Sequence, residues 1–408
     1  MNGQVVLISS GQPSANPRIV KEAIALFEAG YQVKVIYCPL SPWADVSDQN
    51  LFASYPQISW ISVGSHPQLN RLGYRFARIR RKFYEFIFRS IGDRLNAAEL
   101  ALVLFSQELK QAACNTKADL YIGHNLGALP AVVAAAHKYG AKAVFDFEDY
   151  HLGEYPSHTL EARLVKFVQE RYVPGLAYAT AASPLIAKAY QSHFPSIAVH
   201  TINNFFPMAY AVSQLPIIPE RPLRLFWFSQ YVGRQRGLEQ VIAAMGKARH
   251  AEIELTLLGN CTTELREYFT QEAIIHGVKP AQLHFLAPVQ EAAIVKIASE
   301  HHIGLAVEVP HIENREYCLT NKIFMYLLAG NAVLFSNTKA QEQFLHNHPG
   351  IGSLFANGDI DKLASILSTY YDDPVFLNRQ RQASYQQRQT CNWDVEKERF
   401  LGLVSDKL

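Results

Sequence analysis

Cysteine is scarce and scattered in this chain. Cys38, Cys114, Cys261, Cys318 and Cys391 are the five among 408 residues, and no two form a CxxC pair. That spacing argues against a disulfide framework and against a cysteine-built zinc site, and it fits reduced thiols in the cytosol. Long apolar runs are missing too: none approaches the ~20 residues that a bilayer span takes. The opening MNGQVVLISSGQPSANPR has no basic segment followed by a long apolar one, so no signal peptide is expected. Neither sign of charge prevails, since 38 Lys and Arg stand against 36 Asp and Glu for a net of +2, and a nucleic-acid partner is not indicated. Low-complexity tracts and short-period repeats are also lacking.

What is present is alternation. QVVLISS reads as a buried strand, NPRIVKEAIALFEAG as a helix, and YQVKVIYC as the next strand. Asn16 suits the helix N-cap, Pro17 its first turn and Gly30 its stop. Ile19, Ala23, Leu26 and Phe27 share one face. The rhythm continues through the strands ISWISVG, DLYIGHN, KAVFDFED, LAYATAAS and IAVHTINN, with helices between them, two of those from Arg71 to Arg89 and from about Asn96 to Ala113. It breaks at FFPMAYAVSQLPIIPERP, which holds four prolines and no clear period. A second block then runs through LRLFWFSQ, IELTLLGN, QLHFLAPV, IGLAVEV and NAVLFSN, ending in a polar helical tail.

A chain this long exceeds one core. The expected architecture is α/β, two doubly wound Rossmann-like domains with a cleft between them. The expected boundaries are an N-terminal domain over 1–205, a linker over 206–222, a C-terminal domain over 223–385, and a terminal helix over 386–408 that crosses back to the first domain. Ligands of parallel sheets bind at the carboxyl ends of the strands, so the cleft is the default site.

The loops at those ends carry candidate chemistry. SSGQPSANPR, with Ser10, Gly11, Asn16 and Arg18, suits a phosphate or sugar hydroxyls at a helix N-terminus, or is an ordinary turn; it lacks GxGxxG, so a nicotinamide or flavin site is poorly supported. DLYIGHN ends in His124, which can take a proton, bond a hydroxyl or serve structure. FDFEDYHLGEY gathers Glu148, Asp149, His151 and Glu154, a set that could do acid–base work or hold a metal, although loop acids more often cap helices; no metal is expected. GRQRGLEQVI places Arg234, Arg236 and Gly237 at a helix start, a pattern for clamping phosphate. YCLTNKIFMYLLAG reads as a buried helix capped by Thr320 and stopped by Gly330, with Asn321 and Lys322 at its positive end. A cation there opposes the helix dipole unless an anion is near. The preceding VEVPHIENRE supplies Glu308, Glu313 and Glu316.

These stretches, taken in order, resemble the GT-B-fold glycosyltransferases, specifically the large retaining family 4, over nearly the whole chain. The resemblance implies that His124 lies near the transferred sugar, with Glu313 or Glu316 as a catalytic acid. It implies a donor diphosphate held by Arg234, Arg236, Gly237, Thr320, Asn321 and Lys322, with Gly259, Leu286 and Met325 facing the nucleoside. Ser10, Gly11, Asn16, Arg18 and Asp149 would form the sugar and acceptor loop. The family's paired glutamates fall here on Tyr317 and Met325, and a methionine cannot accept a ribose hydrogen bond. The implied function is transfer from a nucleotide-diphosphate sugar to a glycan or lipid-linked glycan, with retention and without cofactor, in cell-envelope or polysaccharide biosynthesis. A degenerate module that binds without transfer and a nucleotide-sugar epimerase are the alternatives. RLGYRFARIRRKFYEFIFRS is a basic aromatic helix that suits either an anionic membrane surface or a core-packed aromatic face, so a location in the cytoplasm or on the inner face of the membrane is expected.

Overall fold

The computed structural model describes residues 2–248 and 252–407. The chain divides into two compact units. The first comprises Met1–Asn203 with Ile312–Asn314 and Lys397–Leu408; the second comprises Asn204–His311 and Arg315–Glu396.

The first unit is built on seven parallel strands: β1 (Asn2–Ser9), β2 (Tyr31–Tyr37), β3 (Ser59–Ser62), β4 (Leu120–His124), β5 (Lys142–Phe147), β6 (Tyr178–Ala181) and β7 (Val199–Thr201). Their order is β3-β2-β1-β4-β5-β6-β7, so the order reverses between β1 and β4. Val5, Val6, Leu7 and Ile8 of β1 are all fully buried. That is why its sequence is a continuous apolar run: a central parallel strand is covered on both faces. The Pro17–Glu28 helix begins as its sequence predicts, with Asn16 Oδ1 accepting from the backbone N–H groups of Arg18 and Ile19.

The second unit holds six parallel strands: β8 (Leu223–Tyr231), β9 (Ile253–Asn260), β10 (Leu283–Leu286), β11 (Ile303–Ala306), β12 (Ala332–Ser336) and β13 (Gly352–Phe355), in the order β10-β9-β8-β11-β12-β13. Two apolar layers cover this sheet. One joins Trp227, Leu255 and Leu305 to Val241 and Leu367. The other joins Phe226 and Val333 to Phe324, Met325 and Leu328. Each fully buried Leu or Phe contributes roughly 1.5–3 kcal/mol relative to exposure.

Several elements escape sequence reading, the Lys339–Asn347 helix among them. β13 is only GSLF, too short to show a period. The Asp45–Ser54 helix has no apolar face to betray it. The expected helix from Asn96 to Ala113 is two, Ala97–Leu102 and Ser106–Cys114.

Candidate active site

In the second unit the carboxyl ends of β8, β9, β10 and β11 lie on one edge of a parallel sheet. The loops that leave β8 and β11 carry Arg234, Arg236 and Glu308, and Gly259 and Leu286 stand in the last two residues of β9 and β10. The Asn321–Ala329 helix, which starts between β11 and β12, adds its positive end to that edge. Gly330 stops this helix in the left-handed conformation, at φ 73°. Its start departs from expectation. Thr320 occupies the cap position, but its side chain makes no capping bond. The hydroxyl instead accepts from Lys322 Nζ at 3.3 Å.

Lys322 is buried and donates to Glu308 Oε1 at 2.9 Å. Arg315 donates to the other oxygen, Glu308 Oε2, at 3.1 Å. Arg236 adds its field to the same carboxylate and donates to Ser229 Oγ at 3.1 Å. Burial pushes the Glu308 carboxyl up, but Lys322, Arg315 and Arg236 together hold it below its usual range. Lys322 is pushed down: burial dominates, Glu308 opposes it, and Arg236 and Arg315 add like-charge repulsion. Three cations around one carboxylate leave two positive charges uncompensated, partly out of water. A positive set of this kind can hold an anion, and a diphosphate offers the matching charge and acceptor oxygens.

The other expected members of this site differ in what they do. Arg234 turns its guanidinium onto the Tyr268 ring, 3.8 Å from the centroid, so Arg236 alone of the pair joins the cluster. Gly237 is the N-cap of the Leu238–Lys247 helix. Asn321 is exposed and accepts from Asn204 Nδ2 at 3.1 Å. Gly259 ends β9 so close to Ser229 that a Cβ there would stand 2.3 Å from the carbonyl oxygen. Leu286 ends β10 with part of its side chain exposed. Met325 does not face a nucleoside: it is fully buried in the apolar layer with Phe226 and Phe324. An apolar side chain at that helical position gains more from the core than from the wet edge.

In the first unit the candidates converge on each other. Arg18 does not offer itself to a phosphate. Its Nε and Nη2 donate to Asp146 at 2.6 and 2.5 Å, and its Nη1 donates to the Ile202 carbonyl at 2.9 Å. Thr180 Oγ1 donates to Asp146 as well, at 2.6 Å. His124 is fully buried, which removes it from direct contact with a sugar. Its Nε2 meets Glu22 at 3.0 Å and its Nδ1 meets Glu148 at 3.4 Å. Burial would lower the imidazole's affinity for a proton, but Glu22, Glu148 and Asp146 outweigh it and push His124 up to about 10. Asn16, besides capping its helix, donates to Glu148. Glu22, His124 and Asp146 bring donor atoms within 4.8 Å of one another, a metal-like set, yet the guanidinium of Arg18 already lies on the Asp146 oxygens.

The loops above this cluster are tied by polar bonds. Ser9 Oγ donates to Asn125 Oδ1 at 2.8 Å and accepts from the Gly11 N–H at 3.0 Å, with Ser10 buried between them. Asp149 accepts from Asn314 Nδ2 at 2.9 Å, and the Tyr150 N–H donates to Asn314 Oδ1 at 2.7 Å. Glu313 lies near the Tyr150 phenol; that phenol is raised by burial first and by Glu313 second. Glu316 is spent elsewhere: it accepts from the Lys339 N–H at 3.0 Å, at the start of the Lys339–Asn347 helix that Thr338 caps. Glu313 therefore stays beside Tyr150, and Glu316 does not.

Sequence reading missed Glu22, Asp146 and Arg315 as site residues. The first two do leave a trace. Glu22 lies four residues after Arg18 on the apolar side of its helix, and Asp146 interrupts the buried strand KAVFDF. A carboxylate at a buried position needs a cationic partner.

Residues 234–397 match the model of a family described as glycosyl transferase-like. No curated protein sequence matches the chain. Among solved structures, Anabaena Alr3699/HepE in complex with UDP superposes with a TM-score of 0.70 at 14% identity, covering 99% of this chain and 100% of that one. Sucrose-phosphate synthase from Thermosynechococcus elongatus gives 0.68 at 16% identity, covering 99% and 98%. The lipopolysaccharide outer core galactosyltransferase WaaB, in its apo form, gives 0.64 at 13%, covering 99% and 100%. The chain thus has the GT-B glycosyltransferase fold, and residues 234–397 carry a glycosyl transferase-like domain.

Proposed function

We propose that this GT-B-fold chain is a glycosyltransferase that moves a sugar from a nucleoside-diphosphate sugar to a glycan or lipid-linked glycan, with retention, in the building of a polysaccharide or cell-envelope glycan. One observation carries the reading: Lys322, Arg315 and Arg236 surround a single carboxylate, Glu308, at the carboxyl edge of the second sheet. Similar folds solved with UDP and with UDP-glucose support a nucleotide-sugar donor. TarM, solved in one form with UDP and α-GlcNAc-glycerol, supports a glycan-type acceptor. The cysteines at 38, 114, 261, 318 and 391 are all free, which fits the cytoplasm.

In this mechanism Lys322 and Arg236, with the N-terminal amides of the Asn321–Ala329 helix, neutralise the charge that develops on the leaving diphosphate. Arg315 keeps Glu308 ionised, and Glu308 holds Lys322 in place. The sugar passes through an oxocarbenium-like state, and the acceptor hydroxyl attacks from the face that the diphosphate leaves. Glu148, which accepts from Asn16, is the acid bonded to the proposed acceptor loop.

The buried Met325 favours one second reading, a module that binds without transfer, since no ribose-binding carboxylate stands there. A thermal-shift screen with UDP, GDP, ADP and CMP sugars, followed by product detection with the best binder, separates the two. Stabilisation with product formation is expected. Stabilisation without product against any glycan acceptor selects the binding module, and no stabilisation by any nucleotide sinks both.

A further inference from the structure

The Arg71–Ile91 helix presents its apolar residues to solvent. Leu72, Phe76, Ile79, Phe83 and Phe86 are 79%, 66%, 68%, 53% and 65% exposed. They recur at steps of four, three, four and three, so they form one continuous stripe along the helix. The helix's two buried residues, Ala77 and Phe88, lie on the side that packs inward. An aromatic face packed in the core, one of the two sequence expectations, is therefore not what forms. A second line runs beside the stripe. Arg71, Arg75, Arg78 and Lys82 are exposed, and each immediately precedes a member of the stripe. Arg89 extends that line by two turns.

Other cations of the helix anchor it. Arg80 donates to the Leu104 carbonyl at 3.0 Å and to Glu108 at 2.6 Å, and Arg81 donates to the Ala101 carbonyl at 2.9 Å. Glu85, the sole acid of the helix, is taken by Arg81 and Lys82. The helix therefore carries seven cations against one anion, a net of +6, while the whole chain carries +2, so all the remaining residues together carry −4. That separation of charge orients the helix toward an anionic surface and turns the remainder away from it.

We propose that this helix is a membrane-docking element. It lies in the plane of an anionic lipid surface, with Leu72, Phe76, Ile79, Phe83 and Phe86 among the acyl chains and Arg71, Arg75, Arg78, Lys82 and Arg89 on the headgroups. The occupant must be apolar and anionic along the full length of the helix, about 30 Å. A lipid surface offers both everywhere. A second copy of the same helix would bring five more cations. Among the described residues no helix is long and apolar enough to cross a membrane, so the association is peripheral.

The test is sedimentation of the full chain with vesicles of phosphatidylcholine alone or mixed equally with phosphatidylglycerol. Two triple variants accompany it: Phe76→Ser, Phe83→Ser, Phe86→Ser, and Arg75→Glu, Arg78→Glu, Lys82→Glu. All six side chains are exposed, so both variants should melt like the parent. The parent should sediment with the anionic vesicles, about tenfold less at high salt, and each variant should bind at least about tenfold more weakly than the parent. Equal binding by parent and both variants, or no binding of the parent to anionic vesicles, overturns the proposal. So does a parent dimer in light scattering that the serine variant dissociates, which would assign the stripe to a second copy of the chain.

Discussion

Each unit of this molecule holds a buried charged cluster at the carboxyl edge of its sheet, and the two differ in how their charges add up. In the first unit Arg18 pairs with Asp146, and His124 lies against Glu22, Asp146 and Glu148. The cluster is close to neutral, and its Arg18, Asp146 and His124 are sealed from solvent. In the second unit Lys322, Arg315 and Arg236 share one carboxylate. A closed set of charges needs nothing more and serves the fold. An open set leaves positive charge at the sheet edge, which the proposed donor diphosphate would neutralise.

The sharpest break in this comparison lies in the closed cluster. Asp146→Ala leaves Arg18 buried without its carboxylate and should cost about 3–5 kcal/mol in urea unfolding. The double variant Arg18→Met, Asp146→Leu should recover most of that loss, because it removes both charges. An unchanged midpoint for Asp146→Ala would show that the cluster does not hold the unit together.

The open cluster should respond in binding instead. Lys322→Met removes one charge-assisted donor and should weaken a nucleoside-diphosphate sugar by about 1.5–3 kcal/mol, read by calorimetry. Stability should fall far less than for Asp146→Ala, since Glu308 keeps Arg315. A variant that binds the donor as tightly as the parent refutes the diphosphate assignment.

A further effect is one of pH. The folded state raises the proton affinity of His124 from 6.5 to about 10. Its stabilising contribution is therefore full below the unfolded value and is lost as pH rises through about 10. Melting temperature should decline from neutral pH toward that value in the parent and decline less in His124→Gln. Parallel profiles would mean that the imidazole is not charged in the fold.

Much of this was legible in the residues alone. The αβ alternation, the Asn16 cap and the Gly330 stop follow from local spacing, and Lys322 at a helix start already asked for an anion. The functions of Arg18, His124 and Met325 were not legible. Arg18 looked like a phosphate ligand because its position in a first turn permits that. Asp146, 128 residues away, claims it. Met325 was aligned by motif with a ribose-binding position, but its helix buries that face. Glu316 and Glu313 are three residues apart and part company, one to accept from the Lys339 N–H and the other to stand beside Tyr150.

The sequence by itself determined most of the elements and caps such as Asn16 and Gly330, because a helix or a buried strand answers to neighbours a few residues away. Only the tertiary structure decided which charges are satisfied. Compensation depends on partners such as Glu22 and His124, 102 positions apart, or Arg236 and Glu308 on separate loops. No local pattern records those distances, and they are what separates a sealed ion cluster from one that keeps a net positive charge.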